Sequence, residues 1–499
     1  VTLPGRPDAA PPALSSARRG TIIKLATMAV VGLVIALLPT PAGLDAGAWR
    51  YFALFVAVII GLILEPIPAA AVGLIGVVLA AGLRLPFTPE QLADPTFEAP
   101  VQAVKWALAG FSNGTVWLIF GAFMFAMGYE KTGLGRRMAL LLVRTLGGST
   151  LGLGYAVVLA DLVLAPFTPS NTARSGGTVY PIIRNIPGLY GSEPGETARR
   201  IGSYLMWTAL AATCVTSSLF LTALAPNLLA LDLVQKVTPV SVSWTDWLVG
   251  FLPIGVLLLA TLPWVIYKVY PPEITSSSEV PAWARGELAS MGAVTTRELL
   301  MGCLVVLALA LWIFGGSFVD PTLVALAVIA LMVLTGVVEW GDVIANKAAW
   351  NVLVWFATLV VLADGLAKVG FIAWFGKGAA SALGGLPVLA VMLLLVVLYF
   401  VMHYLFASLT AHASALLPVI FAAGAAVAGV NVTVFALLLL YALGIMGVIT
   451  PYAAGPGPVY FASGFISRRD FWVLGLVFGA IYLVALLVIG TPWLLFLHP

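Results

Sequence analysis

Apolar residues in this chain gather in long blocks instead of alternating with polar ones. Stretches near the roughly 20 residues that let a helix cross a bilayer occupy positions 22–38, 51–64, 69–83, 116–129, 151–167 and 247–266. A second series covers 299–314, 321–338, 350–363, 386–406, 430–449 and 471–495. The pattern predicts an all-α polytopic membrane protein with roughly 11 full spans and two re-entrant hairpins.

Two blocks are interrupted at what the pattern makes membrane depth. The first break reads Thr168-Pro169-Ser170-Asn171-Thr172-Ala173-Arg174-Ser175-Gly176-Gly177, the second Phe406-Ala407-Ser408-Leu409-Thr410-Ala411-His412-Ala413-Ser414. In lipid, non-helical backbone survives only where protein or water supplies its hydrogen-bond partners, so paired breaks point to the binding site of a transported solute. Pro169 withholds a donor and disfavours helix at Thr168. Ser170, Asn171 and Thr172 then offer hydroxyl and amide groups at a helix start, and Gly176 and Gly177 permit close backbone approach. A capped loop outside the membrane is the plainer alternative.

Each break is followed by another. Thr216-Ser217-Ser218 leads to Thr222-Ala223-Leu224-Ala225-Pro226-Asn227 in the first half, and Thr450-Pro451-Tyr452-Ala453-Ala454-Gly455-Pro456-Gly457-Pro458 stands in the second. The proline and glycine of the second run forbid a regular helix. Two unwound helices are therefore expected beside the hairpin tips, bringing Ser217, Ser218, Thr450 and Pro451 to the same pocket.

The halves repeat one another. Val116-Trp117-Leu118-Ile119-Phe120 and Glu130-Lys131-Thr132-Gly133-Leu134 have counterparts in Val354-Trp355-Phe356-Ala357-Thr358 and Ala367-Lys368-Val369-Gly370-Phe371. Ser170 and Thr172 match Ser408 and Thr410, and Pro181 matches Pro418 within a residue. If an odd number of crossings precedes the linker between them, the repeats are inverted and their broken elements meet centrally.

Composition agrees: of 499 residues 61% are hydrophobic and 9% charged, whereas soluble domains carry about 25% charge. The net charge of +3 comes from dispersed basic residues, which argues against a nucleic-acid partner. Cys214 and Cys303 lie in or beside apolar segments and read as free thiols. Residues 1–20, rich in Pro, Ala and Ser, read as a flexible cytoplasmic tail. Residues 21–266 form the first membrane half with repeat 1, 267–298 a cytoplasmic linker, and 299–499 the second half with repeat 2. Short-loop basic residues favour the cytoplasm: Arg18, Arg19 and Lys24; Lys131, Arg136, Arg137 and Arg144; Lys268, Arg285 and Arg297; and Arg468 and Arg469.

Arg174 and His412 each stand two residues after the threonine of their break. An intramembrane arginine is costly unless paired or hydrated, and it can hold a carboxylate through two donors. Arg174 is thus either an anion contact or a structural charge, and His412 either a protonation sensor or a packing residue. Asp161, Asp364, Glu130 and His403 are further polar residues in or beside apolar runs, fit to neutralise a basic group or carry a proton. Helix N-terminal amides can hold an anion and freed carbonyls a small hard cation, so sodium near Asn171 is a candidate ligand. With neither closely spaced paired acids nor a histidine cluster for a catalytic metal, an enzyme is not expected.

These motifs resemble the divalent anion/sodium symporter family, in particular its bacterial and plastid branch of 2-oxoglutarate/malate and citrate/succinate exchangers. The likeness rests on Val116 to Phe123 running to Glu130-Lys131-Thr132-Gly133-Leu134-Gly135, on Ser170-Asn171-Thr172, on Phe220 to Asn227 and on Thr450-Pro451-Tyr452. The resemblance implies an elevator-type transporter, homodimeric, with a scaffold and a mobile transport domain in each protomer, in the bacterial inner membrane. It implies substrate contacts from Ser170, Asn171 and Thr172, and from Ser408 and Thr410, with Ser217, Ser218, Thr450 and Pro451 alongside. Leu409 departs from the pattern, standing where the second triplet would have asparagine. Leucine neither coordinates sodium nor bonds a carboxylate. That favours obligatory exchange of C4 and C5 dicarboxylates such as malate, succinate and 2-oxoglutarate, with Arg174 or His412 supplying positive character. A sodium-coupled dicarboxylate symporter is the alternative.

Overall fold

The computed structural model describes residues 16–316 and 318–499. Nineteen principal helices organise them. The first repeat and its lead-in comprise α1 (Ser16–Leu37), α2 (Ala46–Leu64), α3 (Ala69–Gly82), α4 (Ala99–Leu108), α5 (Gly114–Thr132), α6 (Leu134–Leu146), α7 (Thr150–Leu164), α8 (Gly202–Leu219), α9 (Ala225–Val237) and α10 (Trp244–Val269). There follow α11 (Val280–Ser290), α12 (Thr296–Phe314), α13 (Pro321–Leu334), α14 (Lys347–Lys368), α15 (Phe371–Leu383), α16 (Val388–Met402), α17 (Leu409–Ala425), α18 (Val432–Ile445) and α19 (Arg468–Ala485). Local chemistry marks many starts. Asn113 caps α5, Ser149 caps α7, and Ser408 caps α17, each side-chain oxygen taking a backbone amide that the first turn leaves unpaired.

Among the described residues, eight helices are long and apolar enough to cross a membrane, or nine when α4 and α5, bent by 41°, count as one. The expectation of roughly 11 full spans is not met by this measure, because α3, α13 and α18 have only 14 residues each. Exposed apolar side chains such as Leu33, Leu37, Val306, Leu334, Leu476 and Val484 suit a surface solvated by lipid. The interior is built on α8, in which every residue is buried, and on α18, buried from Val434 to Ile445.

The two repeats are inverted. Equivalent helices α5 and α14 run antiparallel: the tilted rings of Phe120 and Trp350 lie 4.7 Å apart, while Met124, further along α5, meets Asn346 at the start of α14. Toward the opposite end Gly110 lies against Ala357. The same turn then closes each helix. Gly133 and Gly370 both take φ near 80° (79° and 82°), a conformation glycine adopts without a Cβ penalty, and each sends the chain into an amphipathic helix, α6 or α15.

Arg136, Arg137 and Arg144 therefore belong to helix α6 and not to a loop. Residues 267–298 contain α11 and are stitched to the α6–α7 junction by Thr150 N to Thr275 O (3.1 Å) and Ser277 Oγ to Gly147 O (2.6 Å). Lys131 pairs with Asp342, Arg137 with Glu298, and Tyr270 with Asp470, contacts that join three of the four basic segments assigned to one face. The expected tail, residues 1–20, lies outside the described residues up to position 15, and from Ser16 onward the chain is already helix α1.

Candidate functional site

Helix α7 ends in a tight turn at Ala165–Phe167, and Thr168 is extended (φ −125°, ψ 95°) before the chain returns as a π-helical turn, Thr172–Val179. A break inside a membrane must account for every carbonyl it frees. Here Pro166 O accepts from Thr222 Oγ1 (2.6 Å), Pro169 O from Ala225 N (2.7 Å), Ser170 O from Arg174 N (2.9 Å), and Thr168 O from Arg174 Nη1 (2.8 Å). Three of these four donors are side chains or termini of the opposing break, or the guanidinium that spans to it. The first hairpin tip and the first unwound segment thus form one hydrogen-bonded unit.

Arg174 is the centre of that unit. Its side chain is fully buried, its Nε meets Asp161 Oδ2 at 3.1 Å, and its Nη1 also donates to Ala223 O at 2.8 Å. Nη2 reaches Thr213 Oγ1, Thr216 Oγ1 and Ser217 Oγ at 3.1–3.3 Å. Asp161 Oδ2 accepts Thr216 Oγ1 as well. The guanidinium therefore acts here as a structural charge, with its fork directed at protein acceptors. For the candidate sodium near Asn171, the carbonyls of Thr168 and Ala223 are already taken, both accepting from Arg174 Nη1, so a cation there would draw on other oxygens.

The second repeat meets the same problem with one histidine, His403, while both ring nitrogens of His412 stay without a partner. His403 Nε2 lies 2.9 Å from Ala453 O, joining the second hairpin to the second unwound segment, and Tyr452 OH donates to Tyr404 O at 3.0 Å. His412, at the position equivalent to Arg174, is buried among the rings of Tyr399 (4.3 Å), His403 (4.9 Å) and Phe406 (5.0 Å). Ser408 Oγ caps its own helix at Ala411 N, and Thr450 Oγ1 accepts from Tyr452 N.

The four breaks are tied across repeats. Ser175 Oγ of the first hairpin lies 2.8 Å from Tyr460 OH beyond the second unwound segment. Ser218 Oγ donates to Tyr441 O at 2.7 Å and accepts from Ile445 N. A Cβ at Gly455 would collide with Thr172 Oγ1, so the close approach expected of Gly176 and Gly177 occurs at Gly455; both other glycines have ordinary room.

A cavity of about 820 Å³ opens beside the first hairpin, lined by Thr168, Thr172, Gly176 and Gly177 and extending to Lys131, Arg136 and Glu287. Of the predicted contacts only Thr172 lines it: Ser170, Asn171, Arg174, Ser217, Ser218, Ser408, Thr410, Thr450, Pro451 and His412 do not, and the second repeat contributes Val459. Asn171 is buried at the tip, and its Nδ2 has no hydrogen-bond partner. A buried amide donor without an acceptor is unfavourable; Asn171 itself does not line the cavity, but its neighbour Thr172 does. Ser217 and Ser218, expected in an unwound segment, stand in the last turn of helix α8 just before it: Ser217 Oγ bonds Thr213 O within the helix (2.6 Å), and both hydroxyls are buried. Sequence reasoning missed Thr168, Thr213, Ser175 and Tyr460 because their roles arise from contacts between distant segments.

Residues 19–498 match the family profile described as the sodium:sulfate symporter transmembrane region. Relatives described as L-tartrate/succinate antiporters from Shigella sonnei, Escherichia coli O157:H7 and Escherichia coli K12 are 50% identical over 473 residues, covering 94% of this chain and 97% of theirs. The crystal structure of the Alcanivorax borkumensis YdaH transporter, described as having an unusual topology, aligns with a TM-score of 0.54 at 17% identity, over 97% of this chain and 98% of that one.

Proposed function

From a chain that belongs to the sodium:sulfate symporter family, a multi-pass membrane protein, we propose a dicarboxylate exchanger of the bacterial inner membrane. It would trade C4 diacids such as succinate, L-tartrate and malate, and the C5 diacid 2-oxoglutarate. The antiporter relatives support exchange and point to succinate and tartrate in particular.

The observation that carries exchange over sodium symport is the placement of Arg174. It fills with a fixed guanidinium the gap between two freed carbonyls, and Asp161 balances its charge. The guanidinium occupies those carbonyls in place of a cation, and because Asp161 cancels its charge, a counter-diacid moving the other way is what balances each diacid. The Asn171 amide and the Thr172 hydroxyl receive one carboxylate at the first tip. Ser408 and Thr410 serve the equivalent place on the second, and Ser217, Ser218, Thr450 and Pro451 support the walls. The empty carrier keeps a buried unpaired donor at Asn171, which opposes its return without counter-substrate. Two protomers, each with a scaffold and a mobile unit moving in elevator fashion, make the assembly.

Proteoliposomes test the reading. Vesicles loaded with succinate should take up labelled succinate or tartrate in sodium-free buffer, and empty vesicles should not, even with an inward sodium gradient. Concentrative uptake into empty vesicles driven by sodium would replace exchange with symport.

A further inference from the structure

Two adjacent arginines of α6 have opposite fates, and only Arg136 lines the far end of the cavity. Arg137 is buried and saturated: Nε and Nη2 meet Glu298 at 2.7 and 3.3 Å, while Nη1 and Nη2 donate to Gly292 O and Ala293 O. Arg136 points its 52% exposed side chain to the cavity and makes one contact, Nη2 to Glu287 Oε2 at 2.6 Å. Glu287 comes from α11, which roofs the cavity together with Trp283 and Met291. Lys131, also on the lining, is held in the same way by Asp342.

A guanidinium binds a carboxylate best through two parallel bonds, and Glu287 uses one. Exposed pairs of this kind are weak because water and salt screen them. A free carboxylate arriving through the cavity mouth can therefore compete with Glu287 for the rest of the fork. We propose that Arg136 is an outer anion site that receives one carboxylate of the diacid before it reaches Thr172 and Asn171, and that Glu287 is a placeholder displaced by the substrate. This rests on the exchange reading for the identity of the anion. Glu130, on the same lining, tempers the positive potential, so the site is a transient stop and not a trap.

The test is side-specific. In proteoliposomes of fixed orientation, Arg136→Gln should raise the KM for succinate about tenfold on the Arg136 face, the scale of one lost charged hydrogen bond, with the maximal rate and the opposite-face KM unchanged. Arg136→Lys should restore most of the loss, and Glu287→Gln should lower the same KM. A purely structural Arg136 would instead reduce the maximal rate or shift both faces equally, and that result would overturn the proposal. A second measurement does not need turnover: modification of a Glu287→Cys variant, in a Cys303→Ser background because Cys303 is exposed, by an anionic thiol reagent. Succinate should slow it when Arg136 is present and not in Arg136→Gln. Absence of protection in both would refute the outer site, whereas protection without exchange would sink the exchange reading alone.

Discussion

Replacing Arg174 with methionine gives the sharpest prediction. The change deletes the charged partner of Asp161 and six hydrogen bonds, to Asp161, Thr168, Ala223, Thr213, Thr216 and Ser217. Both members of the ion pair are essentially inaccessible, at 0% and 1% side-chain exposure, so solvent screening does not soften the loss. Breaking such a pair from one side costs about 3–5 kcal/mol, chiefly because the other charge stays buried and alone. At about 1.4 kcal/mol per tenfold, the hairpin's ordered state loses roughly two to three and a half orders of magnitude in population.

Asp161→Leu should be comparably harmful, since it strands the guanidinium. The double variant should recover part of the stability, because exchanging a buried pair for apolar groups of similar volume is often tolerated. It should not recover exchange, because Thr168 O and Ala223 O still lack their donor. Thermal unfolding in detergent, read alongside labelled succinate exchange, measures both quantities, and the cycle isolates the coupling. An Arg174→Met protein as stable as the wild type, or a double variant worse than the sum of the singles, would refute the clamp.

Other substitutions separate tip chemistry from packing. Asn171→Ala should leave the protein folded, since the lost amide donor has no partner, yet weaken exchange about tenfold or more, the value of a hydrogen bond to a charged group; unchanged uptake by correctly inserted protein would count against the tip as the binding place. Gly455→Ala forces a methyl onto Thr172 Oγ1, so overpacking of about 1–3 kcal/mol should lower the unfolding temperature, with Gly176→Ala as the milder control. Tyr460→Phe removes the bond to Ser175 Oγ across repeats and should cost about 0.5–1.5 kcal/mol in the same unfolding assay.

The large pattern was readable from residues alone because membrane solvation imposes it. Long apolar blocks, the doubled Gly133 and Gly370 turns and the proline-marked breaks each express a local rule, and all reappear in the fold. Helix α8 escaped as an apolar block because Ser203, Thr208, Thr213, Thr216, Ser217 and Ser218 dilute its hydrophobicity, although every one is buried. Its threonines and serines satisfy Arg174 and neighbouring carbonyls, a role that exists only once the hairpin folds against it. Arg174 itself illustrates the limit. Sequence identified a buried arginine with a task, but whether its fork faces substrate or protein depends on Asp161, Thr168 and Ala223, three positions brought together by two separate chain reversals. In the sequence the charges of α6 and α11 obscure a helical face that packs on the cavity, which is why the pattern there points to loop and linker.

A density map of the protein with succinate bound addresses the central claim most directly. The account predicts diacid density at the first hairpin, with one carboxylate within hydrogen-bond reach of Asn171 Nδ2 and Thr172 Oγ1, next to the Gly455 backbone and with Arg174 still paired to Asp161. Diacid density remote from that tip, or an Arg174 swung out of its clamp to meet the ligand, would contradict it.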